Sequence, residues 1–345
     1  FSVILLLLVG VVFIVSPADI LASKFELVSK GWWLGIIIAY YFIATLLPVD
    51  KLIGKVYPLF GAALVAMAVG LLGVLLFGDY TIPDMTLENL HINKANLPLV
   101  PTLFITIACG AISGFHATQS PLMARCVNNE RECRFVFYGS MISESVIALI
   151  WAAIAMAFFY DGGGVATVLA EHGNNAAWAV NEISNTTLGV VGGILAILGV
   201  VAAPITSGDT AFRSARLIAA DMFGISQTGL LKRVLVSLPL FMIGMLIIFA
   251  LPFQTIWSYF AWCNQTLSVF TLWAITVYLV REKKNYYITL LPALLMTLVC
   301  STYICIAPEG LSLPQPVAYG IGGACALTAV VWFMTWFKKE TQKRL

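Results

Sequence analysis

The sequence predicts an all-α polytopic membrane protein with about ten transmembrane helices. Hydrophobic residues fill 60% of 345 positions and charged residues only 10%, and the mean hydropathy is +0.94. A water-soluble domain carries about a quarter of its residues charged, so that class is excluded. Apolar runs of bilayer-spanning length, about 17–25 residues, recur along the whole chain. The third observation is where the charge sits: sixteen of the nineteen Lys and Arg residues fall in alternate connections between those runs.

Ten runs read as spans: residues 1–15, 31–47, 58–77, 101–123, 139–160, 188–207, 234–251, 253–280, 286–306 and 317–337. The first is short and already under way at Phe1, with no initiator Met and no charged leader, so the chain is expected to be the later part of a longer protein. Lys51 and Lys55 follow the second span, and Arg125, Arg131 and Arg134 the fourth. Arg213, Arg216, Lys232 and Arg233 follow the sixth; Arg281, Lys283 and Lys284 the eighth; Lys338, Lys339, Lys343 and Arg344 the tenth. The other connections hold Lys24, Lys30 and Lys94, with Asp79, Asp84, Glu88, Asp161, Glu171, Glu182 and Glu309. Basic loops stay on the cytoplasmic side, which puts both visible ends inside and predicts a bacterial inner-membrane location. The long outside connections, 78–100 and 161–187, read as loops.

No basic patch interleaved with aromatics is present, so nucleic acid is not an expected partner; membrane lipid is. The seven cysteines show neither CxxC pairs nor zinc spacing and mostly lie in apolar runs. They read as buried thiols, and no metal or cofactor is expected.

One stretch breaks the apolar pattern. Between Gly110 and Pro121 the fourth span carries Ser113, Gly114, His116, Thr118, Gln119 and Ser120. Glycine releases the backbone from helical geometry and proline removes a donor. Backbone that leaves the helix at membrane depth must be buried in protein or line a watery cavity, so a broken helix near residues 110–121 is a candidate transport site. His116 is the histidine predicted within a span; it reads either as a neutral imidazole bonded to a neighbouring helix or as a proton-coupling group. Ser120 and Pro121 read as a helix start whose free N–H groups would receive a substrate carboxylate, or as a kink with its amides satisfied.

A second polar stretch follows Pro204: Thr206, Ser207, Gly208, Asp209 and Thr210, then Arg213 and Arg216. It predicts another broken helix near residues 206–210, paired with the first as elements of an internal repeat. Asp209 reads as a coupling or substrate residue, or as a helix cap paired with Arg213 at i+4. Glu144 lies near the start of the fifth span, where it either snorkels or is buried against another helix. Asn264, Gln265 and Thr266 form a third polar cluster, explained by hydrogen bonding between helices.

The stretches GFHATQSPLMARC from Gly114, FYGSMISESVIALIWAA from Phe137 and PITSGDTAFRSARLIAAD from Pro204 resemble the carbon starvation protein A (CstA) family of bacterial inner-membrane transporters, over essentially the whole chain. The resemblance implies a secondary-active carrier for peptides and, in some branches, pyruvate, used when carbon runs out. It also implies a division into residues 1–187, the end of an N-terminal transmembrane core; 188–337, a C-terminal five-helix module; and 338–345, a cytoplasmic tail. It assigns no substrate residues. The expected function is therefore proton-coupled uptake of peptides or pyruvate, not an enzyme activity, with substrate bound where the two broken stretches face each other. Two other classes remain open. An intramembrane hydrolase would use Ser113 or Ser207 with His116 and Asp209, although no nucleophile-elbow sequence surrounds either serine. A starvation sensor would carry a signalling domain.

Overall fold

The computed structural model describes all residues except 26, 47–52, 85, 87, 91–96, 173–175 and 343–345, and no side chains for 53–57, 108, 109 and 177. The helices are α1 (Ser2–Lys24), α2 (Lys30–Leu46), α3 (Ile53–Phe77), α4 (Leu99–Ala111), α5 (Gly114–Ala124), α6 (Ser140–Phe158), α7 (Val165–Glu171), α8 (Ala176–Leu195), α9 (Ala202–Met222), α10 (Leu230–Ala250), α11 (Phe253–Arg281), α12 (Tyr287–Ile306) and α13 (Gln315–Gln342). Two π-helical segments, Arg134–Gly139 and Ala196–Val201, lead into α6 and α9. Among the described residues, eight helices are long and apolar enough to cross a bilayer. The other two expected spans are α2, at 17 residues, and the pair α4 and α5, divided by a break. The chain is a multi-pass, all-α membrane protein.

The helices form two compact units interleaved along the chain: Phe1–Leu87 with Asn129–Trp257, and Glu88–Asn128 with Ser258–Leu345. In the first unit α1 is the central helix. Leu5, Leu6, Val9, Val11, Val12 and Ile14 are all nearly fully buried, as a helix apolar on every face must be. It runs through Pro17 to Lys24, longer than its apolar run suggested. Gly10 is needed for the close approach of α9, since a Cβ there would collide with the Phe212 ring, itself stacked on Phe241 at 4.2 Å.

Pro17 has no N–H to give the Phe13 carbonyl. The buried Tyr41 hydroxyl of α2 supplies the missing donor at 2.8 Å, and also reaches the Pro204 carbonyl of α9 at 3.3 Å. In hydrocarbon such a carbonyl would otherwise go unsatisfied.

Residues 161–187 correct the expected loop. They hold α7 and the first part of α8, with Ala179 and Ile183 packed on Met67, Leu71 and Ile154. The helix resumes after Gly189, whose φ of +59° only glycine adopts freely.

The second unit packs α4, α5, α12 and α13 around α11. Ile105, Val269, Met296, Val299 and Tyr303 form its core. Trp262 and Trp273 donate to the Cys300 carbonyl and the Thr297 hydroxyl, so both indoles are anchored on α12. The cysteines are not uniformly buried: Cys263, Cys300 and Cys305 are, while Cys126 and Cys325 are exposed.

Candidate functional site

The first break lies where the sequence placed it, and its geometry is specific. Helix α4 stops at Ala111, Ser113 is extended with φ −113° and ψ 129°, and α5 starts at Gly114. Starting a helix leaves its first N–H groups without internal partners. Asn264 of α11 answers this: its Oδ1 accepts from the Phe115 N–H at 2.8 Å and the Ser113 hydroxyl at 3.1 Å. Gly114 lies so close to α11 that a Cβ would collide with the Asn264 carbonyl oxygen and approach Leu267 Cβ to 2.7 Å.

Two expectations for this stretch change. The helix does not start at Ser120 and Pro121 but passes through them, and the Ser120 hydroxyl donates to the His116 carbonyl at 2.7 Å. That dipeptide does not start a helix, because α5 starts six residues earlier, at Gly114 on Asn264. Thr118 donates to the Phe115 carbonyl and Gln119 to Thr118, both within α5, and His116 is half-buried. Ser113 gives its hydrogen to Asn264 and not to an imidazole, an arrangement unlike a hydrolytic relay.

The second break is displaced. α9 is continuous across residues 206–210, and the irregular backbone is the π-helical segment before it. Pro204 sits in the first turn of α9, directly after that segment. Thr206, Thr210 and Ser214 turn their hydroxyls back onto carbonyls three or four residues earlier, at 2.7, 3.0 and 2.8 Å. Polar composition that reads as a break is thus satisfied inside the helix. Gly208 serves packing instead: a Cβ there would collide with Tyr41.

Asp209 is therefore a mid-helix residue and not a cap, but its expected pairing holds. Its Oδ1 accepts from Arg213 Nη2 at 3.3 Å, the carboxylate is 1% exposed, and Oδ2 has no hydrogen-bond partner among the described residues. The same Nη2 donates to the Ala44 carbonyl at 2.6 Å. Ala44 is in the last turn of α2, whose carbonyls lack helical donors and concentrate negative dipole. Arg233 of α10 donates to Leu46 in the same turn at 3.1 Å and to the Gln227 carbonyl at 2.8 Å, and Arg216 donates to the Gln227 side chain. Tyr40 of α2 lies in the field of both Asp209 and Arg213. Glu144 is exposed on α6, and Ser207 and Thr206 are half-buried on α9.

Sequence reading counted Arg213, Arg216 and Arg233 as topology charges and missed them as a cluster. The i, i+4, i+7 spacing of Asp209, Arg213 and Arg216 was the available signal; Gln227, Tyr41 and Asn264 carried none that named their partners. The two polar stretches belong to different units.

Residues 1–193 match the family described as carbon starvation protein CstA. The chain is 41% identical over 210 residues to an uncharacterized membrane protein of Haemophilus influenzae, covering 46% of this chain and 56% of that one. It is 35% identical over 133 residues to the pyruvate/proton symporter BtsT of Escherichia coli, and 34% identical over 134 residues to the peptide transporter CstA of Helicobacter pylori. Each of those two alignments covers 36% of this chain and 18% of the named transporter. No solved structure matches. A family match over more than half of the residues, on a many-helix membrane scaffold, makes the chain a member of the carbon starvation protein CstA family.

Proposed function

We propose that the protein takes part in secondary-active, proton-coupled uptake of small carboxylate-bearing nutrients, peptides or pyruvate, across the bacterial inner membrane. The named relatives support transport and a carboxylate-bearing cargo. The basic loops support an orientation with residues 125–134, 213–233 and 281–284 in the cytoplasm. The single observation that carries the coupling is Asp209, a carboxylate held out of water with one oxygen on Arg213 and the other without a partner among the described residues.

A buried ion pair is a place where charge can be exchanged at constant total. A proton on Oδ2 neutralises Asp209 and releases its claim on Arg213. A substrate carboxylate then takes the vacated position on the guanidinium, so cation and anion still balance. Proton and substrate each strengthen the other's binding by the same factor. His116 and Glu144 stay as further candidate coupling groups, and Ser113, Gly114, Thr118, Gln119, Ser120, Thr206 and Ser207 as candidate substrate contacts.

The test is uptake of labelled pyruvate and dipeptides by cells expressing the protein, measured against external pH. Apparent affinity is expected to improve as pH falls, since protonation admits the substrate. Asp209→Asn, which cannot titrate, should flatten that dependence, with a change of about tenfold or more in line with coupled sites generally. Full pH dependence in a correctly inserted Asp209→Asn protein would remove Asp209 from the mechanism.

A further inference from the structure

Beyond Arg213, a second guanidinium on the same face of α9 has no carboxylate bonded to it among the described residues. Arg216 lies one turn further on and is 5% exposed, and its Nε has no hydrogen-bond partner among the described residues. Its Nη1 donates to Gln227 Oε1, and Arg233 holds the same residue through the Gln227 carbonyl at 2.8 Å. Three arginines thus share a network with the last turn of α2, and Asp209 is the carboxylate bonded to it among the described residues. Asp221, further along α9, is exposed. A buried guanidinium with an open edge is strongly unfavourable unless an anion completes it.

We propose that Arg216, steadied by Gln227 and backed by Arg233, is a second station for the substrate carboxylate, about 10 Å along α9 from Asp209 at 1.5 Å per residue. This rests on the carrier reading above and places a step after it. When Asp209 loses its proton and reclaims Arg213, the displaced carboxylate moves toward the basic end of the unit and meets the Nε edge of Arg216. A planar fork matches a carboxylate in two parallel hydrogen bonds, which a lysine cannot reproduce. The near-complete burial of Arg216 favours a small planar anion over a lipid headgroup.

The experiment is thermal unfolding of the purified protein in detergent, titrated with sodium pyruvate or dialanine against sodium chloride at equal ionic strength. Inorganic phosphate and phosphatidylglycerol form separate arms. The carboxylates are expected to raise the midpoint with concentration, as any ligand of the folded state does. Gln227→Glu brings a resident carboxylate to Arg216, so it should raise the midpoint without ligand and weaken the carboxylate response. Arg216→Lys should weaken apparent affinity about tenfold or more by losing the fork. Unchanged affinity in either variant, a response confined to phosphate or phosphatidylglycerol, or no response to either carboxylate would each overturn the second station. Uptake that depends on Asp209 alongside an unaltered response in Gln227→Glu removes this station and leaves the carrier reading intact. A response weakened by Gln227→Glu in a protein without uptake keeps the site and removes the carrier reading.

Discussion

Tyr41 shows what one hydroxyl can do where water is absent. Its ring is fully buried, and its single hydrogen goes to the carbonyl that Pro17 leaves without a donor. Tyr41→Phe keeps the packing and strands that carbonyl, so thermal unfolding in detergent should report a loss of about 1–3 kcal/mol. An unchanged midpoint would mean that the Phe13 carbonyl finds another donor. Residue chemistry was legible in the sequence where partners are local and illegible where they are distant. The pairing of Asp209 with Arg213 follows from i+4 spacing on a helix. The debt created by Pro17 is visible in the sequence, whereas the tyrosine that settles it is 28 residues from Phe13 on another helix.

At the scale of elements, the same polar vocabulary had two outcomes. Near residue 113 the helix breaks because α11 offers Asn264 to cap a new start and leaves no room for a side chain at Gly114. Across residues 206–210 no cap is supplied, the hydroxyls fold back onto their own helix, and α9 continues. Composition announces that a helix can break; the neighbour decides whether it does. Gly114→Ala should therefore be among the most damaging conservative changes in the chain. Its Cβ meets backbone, which cannot rotate away, and a cost of about 3 kcal/mol or more is expected from such overpacking. Size-exclusion chromatography of a fluorescent fusion measures it as lost folded protein. Asn264→Ala should cost less, about 1–3 kcal/mol, because it removes a hydrogen-bond acceptor without forcing atoms together.

At the scale of the molecule, the ten apolar runs correspond one to one with eight long helices, α2 and the broken pair α4 and α5. Hydropathy found them because lipid demands continuous apolar length. It misread residues 161–187 because short helices packed on a protein core need far less apolar character than a span. Within the first unit Lys30 pairs with Asp19 at 2.6 Å at the N-terminal end of α2, and the three arginines meet at its C-terminal end. Single cysteines at Asp84, Gly163 and Gly310 in a cysteine-free background should react with an impermeant maleimide applied outside. Those at Asn128, Gln227 and Thr341 should react only after permeabilisation. Reversed labelling would invert the orientation and place the Arg216 end outside.

The bridge made by Tyr41 also has a mechanical meaning. One hydroxyl of α2 reaches carbonyls on both α1 and α9, and Gly10 and Gly208 let those helices approach closely. Moving α2 by a turn loses both contacts at once, and moving α1 or α9 loses one of them. The three therefore act as a single stiff lever, and Asp209, mounted on it, has its position set by the lever as a whole and not by the local flexing of α9.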